Sequence, residues 1–273
     1  MAIIAFSRQV AALGDEISAL LAKEMNYKFI SRHMIEERLV KLGFPAEKLK
    51  KYDEIKPGFL ASLAKDRDEY LDYLQTAILE AAAENNCILI GRGAFAVLED
   101  VPNCIAVRLV SSESARISRL MEEFSWDEKK ARQRIDASDT NRLGFHKSFF
   151  NLMSEDPSHY HLTLNTALMD MNTSVNIIST LVKSLVTPEK EAEGKACIDN
   201  LLVAQRLVNK LVFEYRLPVN FLRVVIKDDK LSIHGVSDSA AVAEQAVSIA
   251  SSLHPDKNVV SCISIVQDFK SYP

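Results

Sequence analysis

The first 25 residues combine the elements from which proteins build phosphate-binding loops. The sequence IIAFSRQVAALGDEISALLAKEM begins with a continuous apolar run and continues, after a short turn, into an amphipathic helix. A strand–loop–helix unit of this kind binds phosphate because successive backbone N–H groups point inward and the helix N-terminus adds positive potential. Glycines allow the close approach of the backbone, and a lysine reaches the outer phosphates. The chemistry suggested by this stretch is therefore phosphate binding.

The turn itself lacks the residues that this chemistry normally uses. The usual pattern is G-x-x-x-x-G-K-[S/T], and residues 9–16 do not supply it in any register. Leu13 carries bulk where a phosphate would sit, and Asp15 places a negative charge at the helix N-terminus. An acidic residue there complements the helix dipole, by about 0.3–1 kcal/mol at exposed sites, and it can cap the helix. We therefore expect a triphosphate site that is impaired or absent, with Asp15 filling the anion site of its own helix.

Apolar runs further along the chain predict the sheet that carries this loop. Such runs are typical of strands buried on both faces, and helical patterns separate them. The predicted strands are IIAF at 3–6, CILIG at 87–91, CIAVRLV at 104–110 and HLTLNT at 161–166. Alternating strands and helices imply an α/β fold of three layers, with a mostly parallel sheet flanked by helices.

The segment at 111–150, between the third and fourth predicted strands, is rich in arginine. Ser125 and Glu128 have the spacing of a capping box, which predicts a second helix beginning inside this segment. The resulting helix pair is expected to lie over the carboxyl ends of the strands, where open α/β sheets bind ligands. Phe149 and Phe150 are expected to anchor the base of the pair rather than to stack on a nucleobase.

A charged stretch separates this region from the rest of the chain. The sequence KSLVTPEKEAEGKA contains Pro188 and Gly194, and it predicts a linker at 187–195. The patterns beyond it predict a helix, two strands, a helix and a last strand, which form a small α-β-β-α-β domain. The predicted domains are therefore 1–186 and 196–273.

Five motifs follow one another in the N-terminal part: SRQVAALGDEI, FISRHMI, IGRGAFAVL, SDTNRLGFH and YHLTLNT. In their order and spacing they resemble the motifs of the cytidylate-kinase-like proteins, which are relatives of the nucleoside monophosphate kinases. The resemblance covers residues 1 to about 183 and implies a P-loop kinase-type fold. It also implies an ATP donor with Mg²⁺ and a small acceptor such as CMP.

The chain departs from the family pattern mainly at the loop. The family loop already lacks the lysine, so that difference decides little. Ala11 and Leu13 stand where the family has glycine, and Asp15 stands where it has arginine. Ser31 replaces an acidic residue that helps to position the acceptor nucleotide in the related kinases. These departures suggest that the chain has kept the fold and lost the donor site.

Other positions match the binding residues of the family. The resemblance implies nucleotide binding by Ser7, Arg8, Gly14 and Arg92. Arg92, in GRG, is similar to the arginine that grips the monophosphate, and a structural ion pair is its alternative role. Arg116, Arg119 and Arg142 resemble the lid arginines that neutralise charge on a transferring phosphoryl group. Asp139, three residues before Arg142, is expected to orient it.

The stretches KLSIHGVSDSAAVAEQAVSIA and NVVSCISIV follow the order strand, glycine, helix and strand. Over residues 196–267 this order resembles that of a BON domain, a small module often associated with membranes or other macromolecules. The resemblance implies a protein or membrane partner for this unit, with dimerisation as the alternative.

Composition and charge limit the remaining functions. A formal net charge of −4 argues against nucleic-acid binding through bulk charge. The N-terminal apolar run is too short for a signal peptide or a membrane span, so we expect a cytoplasmic protein. The scattered cysteines, at 87, 104, 197 and 262, are expected to be buried and reduced. His159 and His161 have no further ligand at metal spacing, so no metal site is expected.

Two hypotheses about function remain. In the first, the protein is a regulator or scaffold that binds a nucleotide or another small anion and has impaired phosphoryl transfer. In the second, it is an active CMP-like nucleoside monophosphate kinase that uses ATP and Mg²⁺. The departures at the loop favour the first. A homodimer is also expected, because the alanine-rich helix before Asn86 could pack against a copy of itself.

Overall fold

A parallel sheet organises the N-terminal part of the computed structural model, which describes residues 2–49, 52 and 64–266. Within these residues its strands are β1 (Ile3–Arg8), β2 (Lys28–Ile30), β3 (Cys87–Ile90), β4 (Cys104–Val110) and β5 (Leu162–Asn165). Their order is β2-β3-β1-β4-β5, and every neighbouring pair is parallel. The predicted α/β fold is confirmed. The sequence analysis missed β2, which is too short to form an apolar run.

Helices cover both faces of this sheet. They are α1 (Gly14–Met25), α2 (Arg32–Lys41), α3 (Ala46–Leu49), α4 (Ala64–Ala83), α5 (Ala94–Val97), α6 (Glu113–Phe124), α7 (Glu128–Phe150) and α8 (Met171–Leu185). A short 3-10 helix, Pro157–His159, precedes β5. On one face, α1 and α8 pack against Ile4 and Phe6 of β1 in a shared hydrophobic core. On the other face, the buried thiol of Cys87 lies 3.6 Å from the carbonyl oxygen of Ala81 in α4.

The arginine-rich segment forms α6 and α7, but α7 begins at a different cap from the predicted one. The carboxylate of Asp127 accepts a hydrogen bond from the backbone N–H of Lys130 at 2.7 Å. Ser125 instead ends α6, in the left-handed conformation with φ of 53°. The predicted capping box of Ser125 and Glu128 is therefore wrong, because an aspartate adjacent to the helix supplies the acceptor.

The last two residues of α7 anchor it, as predicted. Phe149 is buried, and its ring centroid lies 5.3 Å from that of Tyr70. Phe150 fills the space over Gly93, where an added Cβ would lie 2.2 Å from its ring carbon Cε2. Because Gly93 also has φ of 72°, both the space and the backbone conformation favour glycine.

The chain divides into two compact units, Met1–Lys195 and Ala196–Pro273. Most of the predicted linker at 187–195 is helical, because α9 (Pro188–Asn209) begins inside it. The boundaries proposed from the sequence stay predictions. In the described part of the chain, no helix has both the length and the apolar character needed to cross a membrane.

The second unit has the predicted α-β-β-α-β order. After α9 and a π-helical turn (Lys210–Glu214), its described residues form β6 (Asn220–Lys227), β7 (Lys230–Ser237), α10 (Ala240–Leu253) and β8 (Asn258–Ile265). β6 is antiparallel to β7, and β8 is parallel to it. The helices and the sheet share a core that includes Leu207, Val224, Ile233 and Ala246.

The prediction that all the cysteines are buried is wrong. Cys87 and Cys104 are buried, whereas Cys197 is half-buried and Cys262 is exposed. Cys262 lies on β8, which has a neighbouring strand on one side within the described residues. Strand patterns identify apolar runs but do not show which side of a sheet is covered, so this exposure was not readable from the sequence.

The alanine-rich end of α4 does not offer the surface that was predicted for self-association. Ala81 and Ala82 are fully buried within the chain itself. They pack in the interior of the first unit, so they are not available to a second copy in this conformation. The physical reason given for a homodimer is therefore lost, and the homodimer itself stays a prediction.

Candidate functional site

The loop between β1 and α1 lies at the carboxyl edge of the sheet, where phosphate binding was predicted. Ala11 and Leu13 have φ angles of 55° and 57°, which place both residues in the left-handed region. Non-glycine residues rarely adopt this conformation, which costs about 1–2 kcal/mol per residue. These are the two positions at which the resemblance places glycine. The loop therefore follows the backbone course that glycines allow, without the glycines.

Asp15 does not cap α1, contrary to expectation. Leu13 occupies the N-cap position, and no side chain caps the helix there. Asp15 is exposed in the first turn, where its carboxylate lies close to the positive end of the helix dipole. Leu13 is half-buried and packs against the core shared by α1 and α8, so its side chain does not project freely into the loop.

Three of the predicted binding residues meet at the end of β1. Ser7 is buried, with 6% of its surface exposed. The stem of Arg8 crosses the start of α1 so closely that a Cβ on Gly14 would lie 2.7 Å from its Cγ. Gly14 is therefore needed for the course of Arg8. A nucleotide-binding role for these three residues stays a prediction.

The three lid-like arginines converge on the same loop. Each donates a hydrogen bond of 2.9 Å to a different backbone carbonyl: Arg142 to Arg8, Arg116 to Val10 and Arg119 to Ala11. The structure thus brings together residues that lie more than a hundred positions apart in the chain. In this arrangement the guanidinium groups bind the loop from the side of its carbonyl oxygens.

Arg116 also binds Asp139 of α7. Its Nη1 and Nη2 donate to the two carboxylate oxygens at 2.9 and 2.8 Å, which is the bidentate geometry that arginine and carboxylate favour. The prediction that Asp139 orients Arg142 is therefore wrong. Residues three apart share a helix face, but the tertiary partner from α6 takes the carboxylate instead.

Arg119 connects the loop to the carboxyl end of β5. Its Nη2 donates to the carbonyl of Thr166 at 2.7 Å, and its Nη1 lies 3.2 Å from the hydroxyl of Ser111. Burial lowers the pKa of Arg119, and the charge of Glu16 opposes that shift. The guanidinium nevertheless stays charged at any physiological pH, because the ordinary pKa of an arginine lies far above that range.

Arg92 forms the structural ion pair that the sequence left open as its alternative role. Its side chain is 1% exposed and is paired with Glu36, and it also donates to the carbonyl of Tyr52 and, at 3.2 Å, to the hydroxyl of Tyr70. Burial alone would raise the pKa of Glu36, but the hydrogen bond from Arg32 and the charge of Arg92 hold it below its usual value. A ligand-binding role for Arg92 stays a prediction.

Arg108 is a charged residue of this region that the sequence analysis passed over. It lies on β4 directly opposite Ser7, and 7% of its surface is exposed. Its Nη1 donates to the Ser7 hydroxyl at 3.1 Å, and its guanidinium carbon lies 5.7 Å from the ring centroid of Tyr160. The one available signal was a single charge inside the apolar run CIAVRLV.

A small cavity opens beside Arg108 at the carboxyl ends of β1 and β4. Its volume is about 20 Å³, which is enough for about one water molecule. The polar residues that line it include Ser7, Arg8, Gln9, Arg108, Asp139 and Arg142. Of the predicted site residues, Ser7, Arg8 and Arg142 therefore line one polar cavity.

The two histidines of HYH lie at another cavity, of about 280 Å³. His161 accepts a hydrogen bond from the backbone N–H of Ala106 at its Nδ1, at 3.0 Å. Burial lowers the pKa of His161, and the charge of Lys190 lowers it further. In the ranges that the structure describes, no three His, Cys, Asp or Glu side chains are grouped as metal ligands.

Comparison with known proteins relates the first unit to kinases. The sequence model of the Cytidylate kinase-like family matches residues 3–168, which is more than half of the chain. An uncharacterized protein from Eubacterium ventriosum ATCC 27560 has a similar crystal structure, with a TM-score of 0.54 and 22% identity over 67% of this chain and 99% of that one. That likeness concerns the fold alone.

Two kinases of known structure are more distant. Shikimate kinase from Bacteroides thetaiotaomicron is 14% identical over 67% of this chain and 98% of its own, with a TM-score of 0.42. Deoxyadenosine kinase from M. mycoides is 17% identical over 67% and 99%, with a TM-score of 0.39. No curated protein matches the chain. The family match over residues 3–168, together with the P-loop kinase-type sheet, shows that this chain belongs to the cytidylate kinase-like family.

Proposed function

We propose that this protein binds a nucleotide or another small anion at the carboxyl edge of its sheet and acts as a regulator or scaffold, with impaired phosphoryl transfer. The observation that carries the impaired transfer is the binding of Arg116, Arg119 and Arg142 to the carbonyls of the loop. The polar cavity lined by Ser7, Arg8 and Arg142 supports the binding of a small anion. Phosphoryl transfer needs guanidinium N–H groups directed at phosphate oxygens. Here protein oxygens accept those hydrogen bonds.

Arg116 illustrates the cost of changing this arrangement. Its Nε, Nη1 and Nη2 all donate, to Val10 and to both oxygens of Asp139, and 3% of its surface is exposed. To reach a phosphoryl group it would have to break charge-assisted hydrogen bonds, each worth about 1.5–3 kcal/mol. A ligand would have to replace them, which favours slow or absent turnover.

The donor half of the site does not fit a triphosphate with its Mg²⁺. The exposed carboxylate of Asp15 lies at the helix N-terminus, where the phosphates of a triphosphate would approach. Like charges at this position would repel rather than bind.

An active CMP-like kinase that uses ATP and Mg²⁺ is the second candidate. The left-handed backbone at Ala11 and Leu13 favours it, because the loop keeps a curvature from which amide groups can bind phosphate. In that case Ser7, Arg8, Gly14 and Arg92 would bind nucleotide, and the lid arginines would turn from the loop carbonyls to the phosphates.

The second unit is proposed to be a BON-like module, at 196–273, joined by residues 187–195 to a kinase-like domain at 1–186. Its element order supports this interpretation. Phe221 is 79% exposed and Val266 is 54% exposed, so both side chains are accessible to a partner. The unit would then supply a protein or membrane contact for a cytoplasmic protein that does not bind nucleic acid.

Calorimetric titration with CMP and, separately, with ATP–Mg²⁺ tests the proposed function. We expect CMP to bind, ATP–Mg²⁺ not to bind, and no ADP to form when both are present. Arg142→Gln should weaken CMP binding by about tenfold or more, since one charge-assisted hydrogen bond is worth about 1.5–3 kcal/mol. Arg134→Gln, on the exposed side of α7, is the control and should bind like the wild type. Tight ATP–Mg²⁺ binding with sustained CDP formation would establish the kinase instead, and failure of CMP to bind would remove the nucleotide from the proposal.

A further inference from the structure

The amino-terminal half of β4 extends beyond its neighbour β5. The register pairs Val107 with Leu162, the first residue of β5, so within the described residues Cys104–Ala106 have a neighbouring strand only on the side of β1. Ile105 belongs to the core shared with α1 and α8, and successive strand residues point to opposite faces, so Cys104 and Ala106 point to the other face. These two side chains line the cavity of about 280 Å³ beside the two histidines.

The inner wall of this cavity is apolar and aromatic. Four of its lining residues expose 5% or less of their surface: Phe95, Leu98, Cys104 and Ala106. The ring centroid of Phe95 lies 4.8 Å from that of Tyr160 and 6.5 Å from that of His159. The hydroxyl of Tyr160 already donates to the carbonyl of Ser154 at 2.8 Å, so Tyr160 offers a ligand its ring. Aromatic side chains in such a cluster favour another aromatic ring as their partner.

Two polar side chains give the cavity hydrogen-bonding capacity. His161 accepts the backbone N–H of Ala106 at its Nδ1, so the proton of the neutral imidazole is on Nε2, which can donate to a ligand. Burial, and then the charge of Lys190, lower the pKa of His161, which keeps the ring neutral at pH 7. The carboxylate of Glu99, at an exposed position of the wall, supplies an acceptor.

The charges around the cavity favour an uncharged ligand. Among the described residues that line it there is no arginine or lysine, in contrast to the small polar cavity beside the loop after β1. A phosphate would find no cation in this wall and would be repelled by Glu99. Lys190, whose charge acts on His161, balances the charge of Glu99. The volume lies just below the range of about 300–1,000 Å³ that is usual for small-molecule sites, which matches a ligand of one or two rings.

We propose that this cavity binds an uncharged aromatic heterocycle of one or two fused rings. The ring packs against Phe95 and Tyr160, accepts a hydrogen bond from His161 and donates one to Glu99. The site lies at the amino-terminal half of β4, whereas the loop after β1 lies at the carboxyl ends of the strands. The inference therefore goes beyond the proposed function and does not rest on it.

Titration with 7-azaindole and with indole, followed by ligand-observed saturation-transfer NMR, tests this proposal. The two probes have nearly the same shape, but only 7-azaindole has a ring nitrogen that accepts a hydrogen bond. We expect 7-azaindole to bind saturably and about two- to tenfold more tightly than indole, the usual effect of one neutral hydrogen bond. Benzoate, which is an aromatic anion, should not bind.

A variant that fills the cavity locates the bound ring. Ala106→Leu places additional carbon atoms in the space, so it should weaken 7-azaindole binding by about tenfold or more while the protein stays folded. Ala137→Leu makes the same substitution at an exposed position of α7 and should bind the probe like the wild type. Equal binding to Ala106→Leu and to the wild type would overturn the proposal.

Two further outcomes would also overturn it: no saturable binding of 7-azaindole to the wild type, or equal affinities for 7-azaindole and indole. If Ala106→Leu does not fold, Glu99→Gln decides. It should weaken 7-azaindole binding by about twofold or more, because hydrogen bonds to ionised acceptors are about twice as strong as neutral ones. Glu122→Gln, at an exposed position of α6, is its control and should have no effect. If Glu99→Gln binds the probe like the wild type, the proposal fails.

Competition with CMP separates this inference from the proposed function. We expect saturating CMP to leave 7-azaindole binding unchanged, because the two ligands occupy different cavities. Displacement of 7-azaindole by CMP would contradict a separate site. If 7-azaindole binds and is lost in Ala106→Leu while CMP does not bind at all, this inference stands and the nucleotide proposal fails alone.

Discussion

Arg116 of α6 holds both carboxylate oxygens of Asp139 in α7, at 2.9 and 2.8 Å. The remaining nitrogen of the same guanidinium donates to the carbonyl of Val10 at 2.9 Å. One side chain therefore joins α6 and α7 to the loop after β1. Since Arg116 is nearly inaccessible and Asp139 is about one-third exposed, loss of the carboxylate would leave the arginine charge buried.

We expect Asp139→Ala to lower the free energy of unfolding by about 1–3 kcal/mol, the usual cost of a buried group left without its partner. This loss of stability should be smaller than the loss on breaking a fully buried ion pair, because Asp139 is partly solvated. Urea unfolding measures the change. Asp136→Ala, at an exposed position of the same helix, should change it by no more than about 0.5 kcal/mol. Equal effects of the two variants would show that the link does not stabilise the fold.

The left-handed loop leads to the second prediction. Ala11→Gly should stabilise the protein by up to about 1 kcal/mol, because relief of the left-handed strain exceeds the entropy that glycine adds to the unfolded chain. The neighbouring Ala12 is fully buried and has no positive φ. Ala12→Gly should therefore destabilise by about 1 kcal/mol. Chemical denaturation of both variants is the measurement, and a loss of stability in Ala11→Gly would contradict the strain argument.

The fold was largely readable from the sequence because its main strands are continuous apolar runs. β1, β3 and β4 are buried on both faces, so the apolar pattern alone marks them. β2 was not predicted, because it has three residues and begins with the exposed Lys28. Helix starts were less readable, because several acceptors compete within a few residues and the geometry chooses between them.

The candidate site was readable only where it is local in sequence. The loop was found because strand, turn and helix follow one another directly. The partner of Asp139 and the contact of Arg108 with Ser7 were missed, because both depend on contacts between distant segments. The register between β1 and β4 places Ser7 opposite Arg108. The spacing of residues within either segment does not predict that register.

The cysteines give a third prediction. Cys262 is exposed, whereas Cys87 and Cys104 are buried. Burial raises the pKa of the Cys87 thiol to about 12 and also raises that of Cys104, so neither supplies thiolate at neutral pH. We expect a thiol reagent to modify Cys262 first and the two buried thiols only after unfolding. Mass spectrometry of the labelled protein shows the order, and modification of Cys87 or Cys104 in the folded protein before that of Cys262 would contradict it.

The last prediction concerns the buried ion pair of Glu36 and Arg92. We expect Glu36→Gln to lower the free energy of unfolding at pH 7 by about 1–3 kcal/mol, because the buried guanidinium of Arg92 then faces a neutral amide in place of the Glu36 carboxylate. The pKa of Glu36 is lowered in the folded state, so its contribution is complete above the ordinary value of about 4.3 and is lost as the pH falls through the lowered one. The difference between wild type and variant should therefore shrink in acid.

Urea unfolding from pH 7 to pH 3 measures this difference directly. Other carboxyl groups with lowered pKa values titrate in both proteins and cancel from the comparison: Glu84, Asp156, Asp170 and Glu189. Glu37→Gln, on the exposed side of the same helix, is the matched control. It should change the free energy of unfolding by no more than about 0.5 kcal/mol at both pH 7 and pH 3. A difference for Glu36→Gln that stays constant with pH would mean that shape and hydrogen bonding, rather than charge, make Glu36 stabilising.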